Sequence, residues 1–279
     1  MNSGKGIEIQ QVYDSANRGS LALEELRGII NYRDLIWQLV RRDVITRYKR
    51  SILGFAWTML NPLGTMLILT IVFSNLFHAV EGYPIYILSG LVAWNFFSQS
   101  TTASLVQNVW GSSLLHRIYL PRTAFTVAAI GTGLVNLLLT LLPLMVIMLF
   151  TRHSFSSALL FLPVSIAILV AFALGVGLFF STLALYFPDV VEMYQIGLTA
   201  LMYLTPIIYP KEILPEATRF LLLRLNPMYY LVEIFRQPVY EGIIPGSDVF
   251  IAGGLIAALT LSLGWIVFSW KANEFTYRT

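Results

Sequence analysis

The chain reads as an all-α, polytopic membrane protein, and three observations carry that reading. Hydrophobic residues fill 57% of its 279 positions and charged residues only 12%, about half the roughly 25% charge of a soluble domain. The charges are also clustered, with none in 51–80, 82–116, 123–151, 153–188, 193–210 or 249–270. A helix needs about 20 apolar residues to cross a hydrocarbon core of roughly 30 Å, and five of these six gaps supply them outright. Finally, a mean hydropathy of +0.71 with a net charge of only +3 excludes a disordered chain and a nucleic-acid binder built on a basic surface. The absence of cysteine removes disulfides, thiol nucleophiles, thiolate zinc sites and iron–sulfur clusters.

In chain order, residues 1–21 are polar, contain Gly4, Gly6 and Gly19, and predict a flexible cytoplasmic N-terminus. A cleaved signal is not expected, because the first apolar run begins near Ile52. Residues 22–50 place Leu26, Ile29, Ile30, Trp37, Val40, Val44 and Tyr48 mostly at three- and four-residue spacing, with charged residues between them. That pattern predicts an amphipathic interfacial helix running into the first span. Its bland role is a lipid-surface anchor with snorkelling cations. The sharper one is recognition of lipid phosphate by Arg47, Lys49 and Arg50 at the membrane boundary, since guanidinium groups match phosphate geometry.

Spans are predicted at about 52–78, 85–110, 123–150, 157–186, 190–209 and 249–270, within a transmembrane domain of 51–270. The fifth is extended toward Val190, with Asp189 and Glu192 at the interface. Thirteen Lys and Arg residues fall on the side shared by both termini and five on the other. Short-loop cations mark the cytoplasmic side, so both termini, including the tail 271–279, are predicted cytoplasmic.

The cytoplasmic loop GSSLLHRIYLPR, 111–122, predicts a short helix with Ser112 or Ser113 as N-cap and a stop at Pro121. Its exposed Leu114, Leu115, Ile118 and Tyr119 need a cover, either headgroups or a partner's groove. His116 has no acidic or histidine partner at ligand spacing, so a metal site is not expected. Prolines at 215, 227, 238 and 245 cut 210–248 into pieces too short to span. Two helices, about 216–225 and 228–240, predict an external or re-entrant hairpin with Arg219, Arg224, Glu233 and Arg236 at its mouth.

Nothing in the residues supports an enzyme. No G-x-x-x-x-G-K-[ST] appears, so this chain has no P-loop for ATP. A gradient-coupled carrier keeps ionisable groups inside its spans, and these spans have essentially none. Energy for transport must then come from another chain. The chain has 18 Phe, 14 Tyr and 6 Trp. Most belong to interfacial belts and helix packing, while the rest offer flat faces on which a sliding sugar polymer can stack.

The run RDLIWQLVRRDVITRYKRSILGFAWTMLNPL (33–63), then HRIYLPR (116–122), FPDV (187–190), TPIIYP (205–210) and LNPMYYLVEIFR (225–236), resembles in order the membrane subunit of ABC-2 type polysaccharide exporters. The resemblance implies a six-helix permease of the bacterial cytoplasmic (inner) membrane that forms a homodimer and pairs with two ATP-binding cassette subunits. ATP and Mg would sit on those partners, with no cofactor, metal or nucleic acid on this chain. The cargo it implies is a polyprenyl-pyrophosphate-linked glycan such as O-antigen. Segment 112–121 resembles the coupling helix, with His116, Arg117, Tyr119 and Arg122 as contacts. Segment 211–240 resembles external gate helices, with Arg219, Arg224, Tyr229, Tyr230 and Arg236. The channel aromatics implied are Trp57, Trp94, Phe97 and Tyr203. Teichoic acid, drug or lipid export by the same fold is the alternative, and a non-transporting membrane scaffold is the alternative of a different class.

Overall fold

In a computed structural model, residues 21–49, 53–54, 56–77, 80–111 and 122–271 are described. Among them there are ten α-helices and no strand: α1 Leu21–Asn31, α2 Arg33–Tyr48, α3 Ala56–Phe73, α4 Tyr83–Trp110, α5 Thr123–Phe150, α6 Leu162–Tyr186, α7 Val190–Leu204, α8 Glu216–Leu225, α9 Pro227–Arg236 and α10 Ser247–Lys271. A 3-10 turn, Ser157–Phe161, leads into α6, and a π-turn, Gln237–Glu241, follows α9. The predicted coupling segment 112–121 lies outside the described residues.

Four helical segments are long and apolar enough to cross a membrane: Ala56–Phe73, Thr123–Phe150, Ser157–Tyr186 and Ser247–Lys271. The protein is therefore a multi-pass membrane protein. The other two expected spans differ for physical reasons. Helix α4 has the length, at 28 residues, but its sequence is interrupted by Ser, Thr, Asn and Gln. Helix α7 has only 15 residues, about 22 Å. It stops at Thr205, held extended (φ −96°, ψ 130°) because a residue preceding proline is driven out of the α region.

Helix α4 is the central post, packed against α3, α5, α6, α7 and α9. Ile85, Ile87, Leu88, Leu91 and Leu105 have almost no exposure, and they build the main core with Leu137 and Leu144 of α5 and Leu169 of α6. Its polar residues meet partners where α4, α5 and α6 converge. Ser104 Oγ lies 2.9 Å from Thr126 Oγ1 and 3.1 Å from Ser181 Oγ, while Asn108 Nδ2 donates to Thr126 Oγ1 at 3.0 Å. Such networks satisfy polar groups that lipid could not.

Helices α6 and α10 pack most extensively, through backbone. A Cβ on Gly264 would stand inside the Gly175 carbonyl, and one on Gly175 would meet the backbone of Thr260 and Leu261. Small residues let two membrane helices approach this closely.

The expected single helix over 22–50 is two helices, broken at Tyr32 (φ −97°, ψ 17°). The apolar face also divides. Ile29, Val40 and Val44, with Ile36 and Leu39 not singled out from sequence, pack on Ala124 and Ala128 of α5. Leu26, Ile30 and Trp37 face outward, Trp37 64% exposed. A face read only by spacing spans more than the stripe one neighbour can cover.

Candidate substrate groove

Two adjoining cavities of about 280 Å³ each lie between α2, α3, α4 and α5 and share Arg47, Gln99, Ser100, Gly133 and Asn136. Helix α3 adds Trp57, Thr58 and Asn61; α4 adds Asn95 and Gln107; α5 adds Thr132 and Thr140; α2 adds Asp43 and Thr46. Asn, Gln, Ser and Thr make up half of the lining residues, beside apolar ones such as Pro62, Val92, Phe96 and Leu137, and Asn61 and Asn136 belong to helices of membrane-crossing length. Polar groups at that depth are tolerated where they line a wet cavity or meet a polar ligand.

The floor forms where α4 and α5 almost touch. A Cβ on Gly133 would overlap Ser100 Oγ, so glycine permits the approach. Ser100 is buried and its hydroxyl has no protein partner. At the α2 end, Gln107 Nε2 donates to Asp43 Oδ2 at 2.9 Å and Arg42 Nη2 to Asp43 Oδ1 at 2.9 Å. Asp43 thus pins α2 to the central post, α4.

The structure brings together two of the residues singled out from sequence, Arg47 and Trp57, both exposed and both lining the groove. Lys49 is exposed, and Arg50, His116, Arg117 and Tyr119 lie outside the described residues. Arg122 is buried at the start of α5, where burial pulls its pKa below the usual guanidinium value. Trp94 and Phe97, expected to line a channel, are instead core residues of this chain, Phe97 packing at 5.3 Å from the Phe172 ring and 6.0 Å from Trp94. The reason is that α4 is surrounded by neighbours. Tyr203 is 65% exposed on α7, apart from the groove. The groove's amides were not singled out. Their signal is helical spacing of polar residues inside uncharged runs: Asn95 and Gln99 on α4; Thr132, Asn136 and Thr140 on α5.

A second polar site closes the fold near α9. Arg236 was expected at the hairpin's mouth, but it is 1% exposed. Its Nη1 donates to the Pro206 carbonyl at 2.9 Å and to Glu233 Oε1 at 3.3 Å, and Nη2 donates to the Ile207 carbonyl at 3.3 Å. The guanidinium lies 3.9 Å from the Tyr86 ring centroid. Tyr86 donates to the Tyr209 carbonyl at 2.9 Å and Tyr83 to that of Ile208 at 2.8 Å. Asn226 donates to Thr205 Oγ1 at 2.8 Å and caps α9 by accepting from the Met228 amide. Every carbonyl from 206 to 209 thereby has a side-chain donor, which a buried non-helical segment requires. Arg219 is half-buried, Arg224 lies exposed over the Phe220 ring at 4.3 Å, and Tyr229 and Tyr230 meet edge to face at 5.3 Å.

Beside this clamp, burial first and then the Glu233 carboxylate raise the Glu241 carboxyl above its ordinary range. At Lys211 burial acts to lower the ammonium, but Glu233, Tyr229, Glu212 and Glu241 prevail and the shift is upward. A carboxyl whose pKa is higher folded than unfolded binds its proton more tightly when folded. Its contribution therefore favours folding more as pH falls from neutral toward the unfolded carboxylate range. Glu241→Gln should flatten that pH dependence in thermal unfolding between pH 7 and 5, and an unchanged slope would refute the assignment to Glu241.

The helical bundle, with its polar groove and carbonyl clamp, is that of a multi-pass membrane protein, and there is no cluster of metal-ligating residues among the described residues. The sequence profile of the ABC-2 type transporter family matches residues 34–240, and the chain belongs to that family. An O-antigen export system permease protein, RfbA, of Myxococcus xanthus is 29% identical over 254 residues, covering 90% of this chain and 97% of that protein. RfbA of Klebsiella pneumoniae is 26% identical, covering 82% and 90%, and the polysialic acid transport protein KpsM of Escherichia coli is 24% identical, covering 81% and 89%. These are the kind of exporter subunits that the sequence resembles.

Proposed function

We propose that this chain is the permease subunit of an ATP-driven exporter that moves a polyprenyl-pyrophosphate-linked polysaccharide of O-antigen type out of the cytoplasm. The observation that carries the reading is the polar groove, to which helices of membrane-crossing length contribute Asn61 and Asn136 and whose lining includes Arg47 and Trp57. The amides and hydroxyls offer hydrogen bonds to sugar hydroxyls, Trp57 a flat face, and Arg47 with Lys49 and Arg50 cations for the phosphates.

In this reading α4 and α7, continued by the 205–210 segment, complete six spans in the bacterial inner membrane, with both termini cytoplasmic and α8 and α9 as external gate helices. Two copies meet through the apolar outer faces of α3 and α7, where Ile68, Ile71, Met193 and Ile196 are exposed. Two ATP-binding cassette chains drive the dimer through segment 112–121 and α2. Trp57 and Tyr203 face the path between the copies.

Deletion of the gene should abolish surface polysaccharide, and expression of the chain should restore it. Arg47→Ala with Arg50→Ala should lower export while leaving co-purification with the neighbouring ATPase intact. Wild-type surface polysaccharide in that double variant would sink the phosphate role. Unchanged polysaccharide after deletion would sink the export reading itself.

A further inference from the structure

Tyr240, in the π-turn after α9, holds the chain that follows α5 and the chain that precedes α4. Its hydroxyl donates to the Glu81 carbonyl at 2.7 Å, and its own carbonyl lies 2.7 Å from His153 Nε2. A carbonyl only accepts, so Nε2 carries the proton. The imidazole also stacks on the Tyr240 ring, with centroids 5.9 Å and planes 12° apart. Three left-handed backbone corners meet here: Gly82 (φ 65°), Gly242 (φ 66°) and Arg152 (φ 55°), the one non-glycine with a positive φ among the described residues. A Cβ on Gly82 would stand 3.9 Å from His153 Nδ1 and 3.9 Å from Tyr240 Cε2, and one on Gly242 would stand 3.3 Å from Ser156 Cβ. An arginine in that conformation is strained, and both such strain and π-turns recur where a protein changes state.

We infer that this junction is a latch that opens in each export cycle, releasing the chain beyond α5 and the chain before α4 from the π-turn. The inference rests on the export reading and adds a step to it. The latch is weak where the neighbouring clamp is strong. Arg236 is 1% exposed, whereas Glu81 is exposed and His153 and Tyr240 are half-buried. Water can replace each latch bond as it breaks, so opening strands no polar group. Tyr86 joins the two devices, since its ring carries the Arg236 guanidinium and meets the Tyr240 ring edge to face at 5.3 Å. The clamp can therefore keep α9 on α4 while the latch lets go. What the latch lets go continues α3 and α5, the helices that enclose the groove together with α4 and α2.

The chain contains no cysteine, so an introduced pair has no rival within it. Ser156→Cys with Gly242→Cys brings two Cβ atoms within a few tenths of an ångström of the roughly 3.5–4.5 Å that a disulfide needs. Oxidation of this pair in cells should stop export, and reductant should restore it. Wild-type export by the oxidised pair overturns the inference. If the reduced pair fails to export as well, a measurement that leaves residue 242 alone decides. Spin labels on Ser154→Cys and Ile243→Cys, both exposed, read the distance across the latch in the full chain purified with its ATPase in lipid nanodiscs. A non-hydrolysable ATP analogue should add a longer-distance population. His153→Ala should show that population without nucleotide, and His153→Gln, whose amide can still donate to the Tyr240 carbonyl, should return it toward the wild-type distance. No shift with the analogue overturns the inference, as does a His153→Ala chain indistinguishable from wild type. The two readings fail separately: gene deletion that removes no surface glycan sinks export, whereas normal export through a locked junction sinks the latch alone.

Discussion

Arg236→Ala should destabilise the protein by about 3–5 kcal/mol, the cost of removing one partner of a buried ion pair. The guanidinium is nearly inaccessible, and its loss strands the Glu233 carboxylate together with the carbonyls of Pro206 and Ile207. It also removes the cation from the Tyr86 ring. Arg236→Lys keeps the charge but not the planar fork, so it should recover only part of the loss. Removing both charges, as Glu233→Leu with Arg236→Met, should cost less than Arg236→Ala alone, because no buried carboxylate remains unpaired. Thermal unfolding in detergent micelles reads all three. A single variant within about 1 kcal/mol of wild type, the worth of an exposed ion pair, would show that the clamp does not hold the 205–210 segment.

The second large effect lies where α6 and α10 cross. Gly264→Ala places a methyl against the Gly175 carbonyl, and backbone cannot move aside as a flexible side chain can. Overpacking of this kind costs typically about 1–3 kcal/mol, and Gly264→Val should lie at or above the upper end. The control is on the same helix. A Cβ on Gly254 meets nothing within 4 Å, so Gly254→Ala should be neutral or stabilising by up to about 1 kcal/mol through helix propensity. Equal melting temperatures for Gly254→Ala and Gly264→Ala would mean that the helices do not cross here.

Helical class and membrane residence were legible because they depend on composition and on where charges are missing. Helix α5 occupies the uncharged run after Arg122, and α8 and α9 fall between the prolines that bound them. Helix phase was not legible. In a segment apolar on every side, spacing cannot show that Trp94 is buried, that Phe97 packs on Phe172 of α6 or that Trp57 is exposed. Arg236 was misplaced because its partners, Pro206 and Ile207, lie about thirty residues away in sequence, and a lone Arg near a proline-rich turn reads as a surface cation. The groove went unseen because its amides come from separate helices. Only folding sets Asn61, Asn95 and Asn136 around one space.

Helix α4 is held near both its ends. Close to one, Gln107 grips Asp43 of α2; close to the other, Tyr83 and Tyr86 hold the carbonyls of the segment before α8 and α9. Twenty-eight residues of α-helix measure about 42 Å. Because an intact helix resists stretching, α4 is built as a tie rod between these two attachments. Helix α2 and the 205–210 turn are therefore joined through a single helix.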